Sequence, residues 1–260
     1  MQITPLVVVG ILFVIFFLVV ERFNLFSIDR FPSRLVKIVA WFWLGSFVLL
    51  VTSLVTSSAS APVQKKDLVN IPFWSLFSMH LILVIFLVGW WLLTQRPGIR
   101  AYLNIQPDQT FRAVMLGVAV GVGVWAVTIA LAASAGVILT RLNLVPDDLQ
   151  PSPMIPWMAN LALWQKAVII FSAMTVEEAF FRGWLQKRAG LVVSTIAFVI
   201  AHAGYGQPLM LIGITVVSLM IGITFYRTKN LIPCIIAHGV FDAIQLIVIV
   251  PLAVKFGGLG

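Results

Sequence analysis

The sequence predicts an all-α integral membrane protein that crosses the bilayer about eight times. Hydrophobic residues make up 61% of the chain and charged residues only 10%, whereas a soluble domain has roughly 25% charged residues. A spanning helix needs about 20 mostly apolar residues, and apolar runs of about this length recur eight times between polar segments. They lie near residues 4–20, 36–56, 71–94, 111–139, 167–186, 191–204, 209–226 and 231–254.

Two of these runs have features beyond their length. The run 4–20 lacks a basic n-region and a small-residue cleavage site, which favours a retained span over a secretory signal. The run 191–204 is short, and Gly204-Tyr205-Gly206-Gln207-Pro208 follows it below the expected membrane surface. Irregular backbone at this depth is tolerated when it is buried in protein or lines a wet cavity. We therefore expect a water-filled cavity near this turn.

The loops predict both the division of the chain and its orientation. A Pro-rich segment from Pro146 to Pro156 indicates a linker between an N-terminal four-span accessory region, 1–145, and a second four-span region, 146–260. Twelve basic residues fall in the odd-numbered loops and five on the opposite side, so the positive-inside rule predicts cytoplasmic odd loops and both termini outside. These loops account for the net charge of +8. Because no basic stretch exceeds two residues, no nucleic-acid partner is expected.

Titratable residues inside the predicted spans concentrate in the last four of them. Counted at 1.5 Å per residue from the nearest span end, Glu177, His202 and His238 lie about 15, 16 and 13 Å deep. Asp242 shares a helix face with His238, four residues away. Charged groups at this depth are rare and usually functional. Three helices thus bring ionisable groups to one level, which predicts a single intramembrane site reached from the cytoplasm.

These residue types suit hydrolysis by an activated water. A carboxylate in apolar surroundings can act as a general base, so we assign this role to Glu177, with His202 helping to orient and deprotonate the water. His238 with Asp242 would stabilise the oxyanion formed when water attacks a carbonyl. Histidine and carboxylate are also zinc ligands, so a zinc site on Glu177, His202 and His238 is the alternative. The single cysteine, Cys234, excludes a multi-thiolate metal site.

Four further residues are interpreted as structural or supporting. Glu178 and Arg182 have the i,i+4 spacing of an ion pair, with the acid on the favourable N-terminal side. Phe198 shares a helix face with His202 and is expected to shield it from lipid. His80, in the third span, is expected to make an interhelical hydrogen bond.

Three ordered motifs resemble the CAAX-protease and bacteriocin-processing family, also called the abortive-infection family. They are Glu-Glu-x-x-x-Arg at 177–182, Phe-x-x-x-His at 198–202 and His-x-x-x-Asp at 238–242. The resemblance covers roughly residues 160 to 250. The family includes the type II CAAX prenyl endopeptidases. It implies an eight-helix fold with a cytoplasm-facing cavity. It also implies that Glu177 and His202 activate water and that His238 and Asp242 hold the oxyanion. The prenyl-processing members usually carry Asn at the position of Asp242, and an aspartate donates a hydrogen bond only when protonated.

The sequence therefore predicts an intramembrane endopeptidase that cleaves a membrane-associated protein or peptide without a cofactor. One alternative is a zinc-dependent metalloprotease of the same family. Another is a non-catalytic membrane scaffold or bacteriocin-immunity protein. A proton-coupled transporter is disfavoured, because its polar residues would extend through the whole thickness of the membrane.

Overall fold

The computed structural model describes residues 26–60, 68, 71–143, 153–203 and 208–256, and within these ranges it contains helices and no strand. In chain order the helices are α1 Arg34–Ser60, α2 Ser78–Leu93, α3 Ile99–Leu103, α4 Thr110–Arg141, α5 Met154–Ala159, α6 Leu163–Ser172, α7 Lys187–Ala201, α8 Pro208–Thr228, α9 Ile232–Ala243 and α10 Val250–Phe256. Short 3-10 turns, Phe73–Phe77 and Pro107–Gln109, precede α2 and α4. Segments of π-helix connect α6 to α7 (Ala173–Glu177 and Ala179–Gln186) and α9 to α10 (Ile244–Ile249).

Six of the described segments are long and apolar enough to cross a membrane. They are Arg34–Ser58, Phe73–Leu93, Pro107–Arg141, Leu163–Ala201, Met210–Thr228 and Ile232–Phe256. Their outward faces are apolar: on α2, Leu81, Ile85 and Val88 are exposed while Phe86 and Trp90 are buried. Such faces suit contact with lipid rather than water. The chain is a polytopic all-α membrane protein.

The described residues contain six candidate segments, against the eight spans that the sequence predicts. The predicted span 4–20 lies outside the described residues. The predicted fifth and sixth spans both lie on the segment Leu163–Ala201. This segment is interrupted at Gly190, whose φ of 83° and ψ of 175° are not helical. Only glycine adopts this backbone region readily.

The chain reverses its direction at Gly190. Beyond it, the Ser194 hydroxyl donates a hydrogen bond to the Phe181 carbonyl at 2.7 Å, and the Phe198 and Phe181 rings meet edge to face with centroids 4.9 Å apart. The end of α7 therefore runs back along the π-helical segment. Phe198 and Phe181 are eight and nine residues from Gly190, and positions 202 and 177, at twelve and thirteen residues, come close to each other in the same way.

Two apolar clusters hold the bundle together. The first is aromatic and joins α1 and α2 to the π-helical segment; its centre is Trp90 and Trp184, whose rings meet at 81° with centroids 5.2 Å apart. The second, around Val124 and Ile221, joins α4, α8 and α9. Both clusters contain residues from each side of the predicted boundary at 145/146. The division into two regions stays a prediction, but the packing crosses it.

Helices α4 and α9 pack at close range through glycines. A Cβ on Gly117 would lie 2.6 Å from Cβ of Ile236, and one on Gly121 would lie 2.6 Å from the Ala237 carbonyl oxygen. Any side chain at these positions would push the helices apart. Gly123, by contrast, faces open space.

The end of the bundle that carries the Gly190 turn is held by polar contacts. Arg188 makes a bidentate pair with Asp29, at 2.7 and 2.6 Å, and the Lys187 ammonium donates to the Ala101 carbonyl at 2.6 Å. The Tyr102 hydroxyl donates to the Leu87 carbonyl at 3.0 Å. Burial raises the pKa of Tyr102, so the phenol keeps the proton that this bond needs. These contacts fix where the turn lies.

Candidate active site

Glu177 ends a π-helical turn and lies between two histidines from other parts of the chain. Its Oε1 is 3.0 Å from Nε2 of His80 on α2, and its Oε2 is 4.0 Å from Nε2 of His202 at the end of α7. The Glu177 side chain is only 14% exposed. Single π turns in helices occur frequently at functional sites. A mostly buried carboxylate is thus presented to two imidazoles.

A hydrogen-bond chain fixes the protons on the His80 side. A carboxylate only accepts hydrogen bonds, so Nε2–H of His80 donates to Glu177. The other ring nitrogen, Nδ1, then accepts from the Ser172 hydroxyl, whose oxygen is 3.1 Å away. Ser172 lies on α6, just before the π-helical turn. The hydrogen bonds therefore run from Ser172 through His80 to the Glu177 carboxylate.

His202 is oriented by its own helix. Its Nδ1 is 2.7 Å from the Phe198 carbonyl oxygen, and because a carbonyl only accepts, Nδ1 carries the proton. The Phe198 ring stacks on the imidazole, with centroids 4.4 Å apart. Both contacts turn Nε2 toward Glu177. Phe198 thus covers one face of His202 and its carbonyl sets the tautomer; shielding from lipid stays a prediction.

A second, fully buried group lies behind the first. Glu178 Oε2 is 3.3 Å from Nε of Arg182, and both side chains are 0% exposed. Glu178 Oε1 is 2.8 Å from Nδ1 of His238. Arg182 also donates to the Ser218 carbonyl at 3.2 Å and lies over the Phe198 ring, 4.8 Å from its centroid. The i,i+4 pair is present, and His238 joins it.

His238 is flanked by a carboxylate at each ring nitrogen. While Nδ1 meets Glu178, Nε2 lies 3.5 Å from Oδ2 of Asp242, one turn along α9. The ring of Phe198 is 6.1 Å from that of His238. The Phe198 ring is thus a neighbour of both histidines.

Comparisons with known proteins match the same part of the chain. Residues 156–244 match the family model described as type II CAAX prenyl endopeptidase Rce1-like. We call these residues, 156–244, the Rce1-like region. An uncharacterized protein of Bacillus subtilis (strain 168), YpbD, is 34% identical over 80 residues, which cover 29% of this chain and 42% of that protein. The chain thus matches less than half of the length of that relative. No solved structure matches.

The Rce1-like region contains every site residue that the sequence predicts. Glu177 and His202 face each other, Glu178 pairs with Arg182, and His238 lies beside Asp242. The structure further pairs Glu178 with His238, a contact that helical spacing within one segment does not reveal. The catalytic and supporting roles of these residues stay predictions.

Sequence reasoning missed one neighbour of the site. The interhelical hydrogen bond expected of His80 is confirmed, but its partner is Glu177. His80 lies outside the Rce1-like region, in the N-terminal half of the chain. One sequence signal points to it: the chain has three histidines, all three lie within predicted spans, and the other two already belong to the predicted site.

The alternative zinc site does not agree with the donor geometry. Among the described residues, no group of three or more His, Cys, Asp or Glu side chains is arranged to hold a metal ion. The proposed ligand His238 has Glu178 at one nitrogen and Asp242 at the other. It would have to leave one carboxylate to join Glu177 and His202. The residues present therefore do not fit a zinc ion without rearrangement.

Proposed function

We propose that this protein is an intramembrane endopeptidase that uses Glu177 and His202 to activate water. The observation that carries the proposal is Oε2 of Glu177. It is buried without a hydrogen-bond partner among the described residues and lies 4.0 Å from Nε2 of His202. A buried acceptor without a partner needs an explanation. Because both atoms can accept hydrogen bonds, a water placed between them could donate one hydrogen to each and give Oε2 of Glu177 its partner.

The reaction follows from this arrangement. The water oxygen attacks the carbonyl carbon of the scissile peptide bond while one water proton moves to Oε2 of Glu177. The carbonyl π electrons move to oxygen, and a tetrahedral oxyanion forms. The intermediate then collapses, the C–N bond breaks, and Glu177 gives its proton to the leaving nitrogen. General acid–base catalysis of this kind contributes about 10²–10⁴-fold in rate.

His238 is the proposed donor to the oxyanion. Its Nδ1 proton is donated to Glu178, and a doubly protonated ring would also carry Nε2–H, which would turn from Asp242 to the substrate oxygen as the oxyanion forms. Asp242, 3.5 Å from Nε2, would balance the charge of that ring. Glu178 and Arg182 are assigned the structural role of holding His238 in place. In many enzymes, preorganised donors of this kind contribute more to the rate than any other single effect.

The substrate class is inferred from the family and from the bilayer. The family description supports a membrane-associated substrate with a prenylated CAAX end, and the lipid-facing helices would allow such a chain to approach within the membrane. We further propose that the site opens to the cytoplasm and that both termini lie outside, as the basic loops predict. No cofactor is required by this mechanism.

The test uses purified full-length protein in vesicles and a farnesylated peptide ending in CAAX. In parallel, membrane proteomes with wild-type protein and with Glu177→Ala are compared for new protein termini. Cleavage that depends on Glu177 and His202 in either assay is the expected result. If neither assay gives a Glu177-dependent product, the scaffold or immunity role replaces the peptidase.

Chelation distinguishes the zinc alternative. We expect cleavage to continue after treatment with a zinc chelator, and elemental analysis to find no stoichiometric zinc. Loss of activity on chelation that zinc restores would contradict the metal-free mechanism and favour a metalloprotease.

A further inference from the structure

We propose that His80 is a positioning residue that holds the Glu177 carboxylate in the orientation needed to accept a proton from water. The inference rests on the proposed function and deepens it. It gives a residue of the N-terminal half of the chain a direct contact with the site, although that half lies outside the Rce1-like region. His80 would act through Glu177 and would not touch the substrate itself.

The first argument is the direction of the hydrogen bonds. His80 donates Nε2–H to Oε1 of Glu177 at 3.0 Å, and the Ser172 hydroxyl at 3.1 Å stabilises this tautomer by donating to Nδ1. A neutral imidazole has one donor and one acceptor nitrogen. Here Nδ1 accepts from Ser172 and Nε2–H donates to Glu177, so both hydrogen bonds run toward the carboxylate. With Oε1 engaged, the carboxylate cannot rotate freely. Oε2 is thereby directed at His202.

The second argument is the low exposure of the contact. The His80 and Glu177 side chains are 15% and 14% exposed, and the Phe77 ring lies beside the imidazole with centroids 6.0 Å apart. Hydrogen bonds are stronger where water is scarce, and linked bonds polarise one another. The His80 bond can therefore define the position of the carboxylate closely.

The third argument is the asymmetry of the two carboxylate oxygens. Oε1 is occupied by a donor from α2, whereas Oε2 is buried without a hydrogen-bond partner among the described residues. A histidine that served only to join helices would have no reason to select the proposed catalytic carboxylate. A positioning residue would have to bind the oxygen that does not react, as His80 does.

The test compares kcat, KM and thermal unfolding for four variants of the full-length protein in vesicles. His80→Leu removes the donor, His80→Gln keeps an N–H near the position of Nε2, and Ser172→Ala removes the support of Nδ1. Thr94→Val is the matched control, because it removes a hydroxyl that donates to the Trp90 carbonyl at 2.9 Å from the position just after α2, at the other end of that helix from His80. Rates are measured on whichever of the two substrates above the wild-type protein cleaves.

We expect His80→Leu to lower kcat by about 10²-fold, since a misplaced group can cost this much, with little change in KM. His80→Gln should restore most of that loss, and Ser172→Ala should lower kcat less than His80→Leu does. Thr94→Val should keep wild-type kcat. All four variants should unfold at similar temperatures. In a Glu177→Gln background, adding His80→Leu should cause no further fall, because residues that act as a unit are not additive.

Three results would overturn the inference. They are wild-type kcat in His80→Leu, a loss that His80→Gln does not recover, and a full further loss in the Glu177→Gln background. The proposed function fails separately: if Glu177→Gln itself cleaves at the wild-type rate, the peptidase mechanism is wrong whatever His80 does. If Glu177→Gln is inactive and His80→Leu is normal, only the inference about His80 is wrong.

Discussion

Glu177 and Glu178 are neighbours in sequence, but their side chains have opposite environments. Each has a hydrogen-bond partner at one oxygen and none at the other among the described residues. The difference lies beside the second oxygen: Oε2 of Glu178 is 3.3 Å from the permanent charge of Arg182, with both side chains 0% exposed, whereas Oε2 of Glu177 is 4.0 Å from His202 and its side chain is 14% exposed. A carboxylate held against a buried guanidinium stabilises the structure, whereas one beside an imidazole can bind a water and accept its proton. The comparison separates the two roles, and each variant below tests one side of it.

The largest effect is expected at Glu177. Glu177→Gln keeps the size of the side chain and removes the base, so the cleavage rate should fall by about 10³-fold. Expression, membrane insertion and thermal unfolding should stay near wild type, because no buried charge loses its partner. His202→Ala should show the same pattern. A Glu177→Gln protein that cleaves normally but unfolds early would reverse the assignment of the two carboxylates.

Glu178→Gln should act mainly on stability. It leaves the Arg182 charge buried without its carboxylate, and breaking a buried pair in this way costs about 3–5 kcal/mol of unfolding free energy. Thermal unfolding in detergent and the yield of folded protein measure the effect. Any protein that still folds should retain part of its activity, since Gln can accept the His238 hydrogen bond. Normal stability with complete inactivity would instead make Glu178 the reacting carboxylate.

The sequence predicted the contacts that depend on spacing within one helix or from one turn. Helical periodicity gave the Glu178–Arg182 and His238–Asp242 pairs, because each depends only on the rotation per residue within one helix. The depth count put Glu177 and His202 at one level, and their side chains lie 4.0 Å apart.

Contacts between distant segments could not be predicted in this way. The pairing of His80 with Glu177, 97 residues apart, depends on which helices become neighbours. The pairing of Glu178 with His238 also depends on π-helical segments, which change the rotation per residue from the α-helical value assumed for the sequence. The break between the fifth and sixth predicted spans was expected from polar residues, but the geometry of Gly190 was not.

Gly190→Ala should disturb the contact between Glu177 and His202 more than the contact between Glu178 and His238. The backbone region of Gly190 costs another residue about 1–3 kcal/mol, although its Cβ would meet no atom within 4 Å. The chain would relieve this strain by shifting the arm that carries His202, so we expect a reduced cleavage rate. Gly123→Ala is the control, because that Cβ also has open space but the residue is helical and should gain up to about 1 kcal/mol. Equal behaviour of the two variants would show that the turn does not set the site.

Gly121→Ala should disturb α9, the helix that carries His238, and should have the smallest effect of these variants. Its Cβ would lie 2.6 Å from the Ala237 carbonyl oxygen, so α9 must move. Overpacking costs about 1–3 kcal/mol, and the better helix propensity of alanine returns up to about 1 kcal/mol. We expect a net loss near 1 kcal/mol in thermal unfolding, with Gly123→Ala again as the control. A stability gain at Gly121 would show that the α4–α9 contact is looser than this distance indicates.

The reversal at Gly190 has a consequence for how this chain can vary. Because the α-helical arm beyond the reversal ends at His202, inserting or deleting one residue in that arm would rotate His202 by about 100° and translate it by about 1.5 Å relative to Glu177. Lipid-facing positions such as Val192 and Ile196, both exposed, can exchange one apolar side chain for another without such an effect. Between the carboxylate and the imidazole, the number of residues is therefore constrained more tightly than their identity.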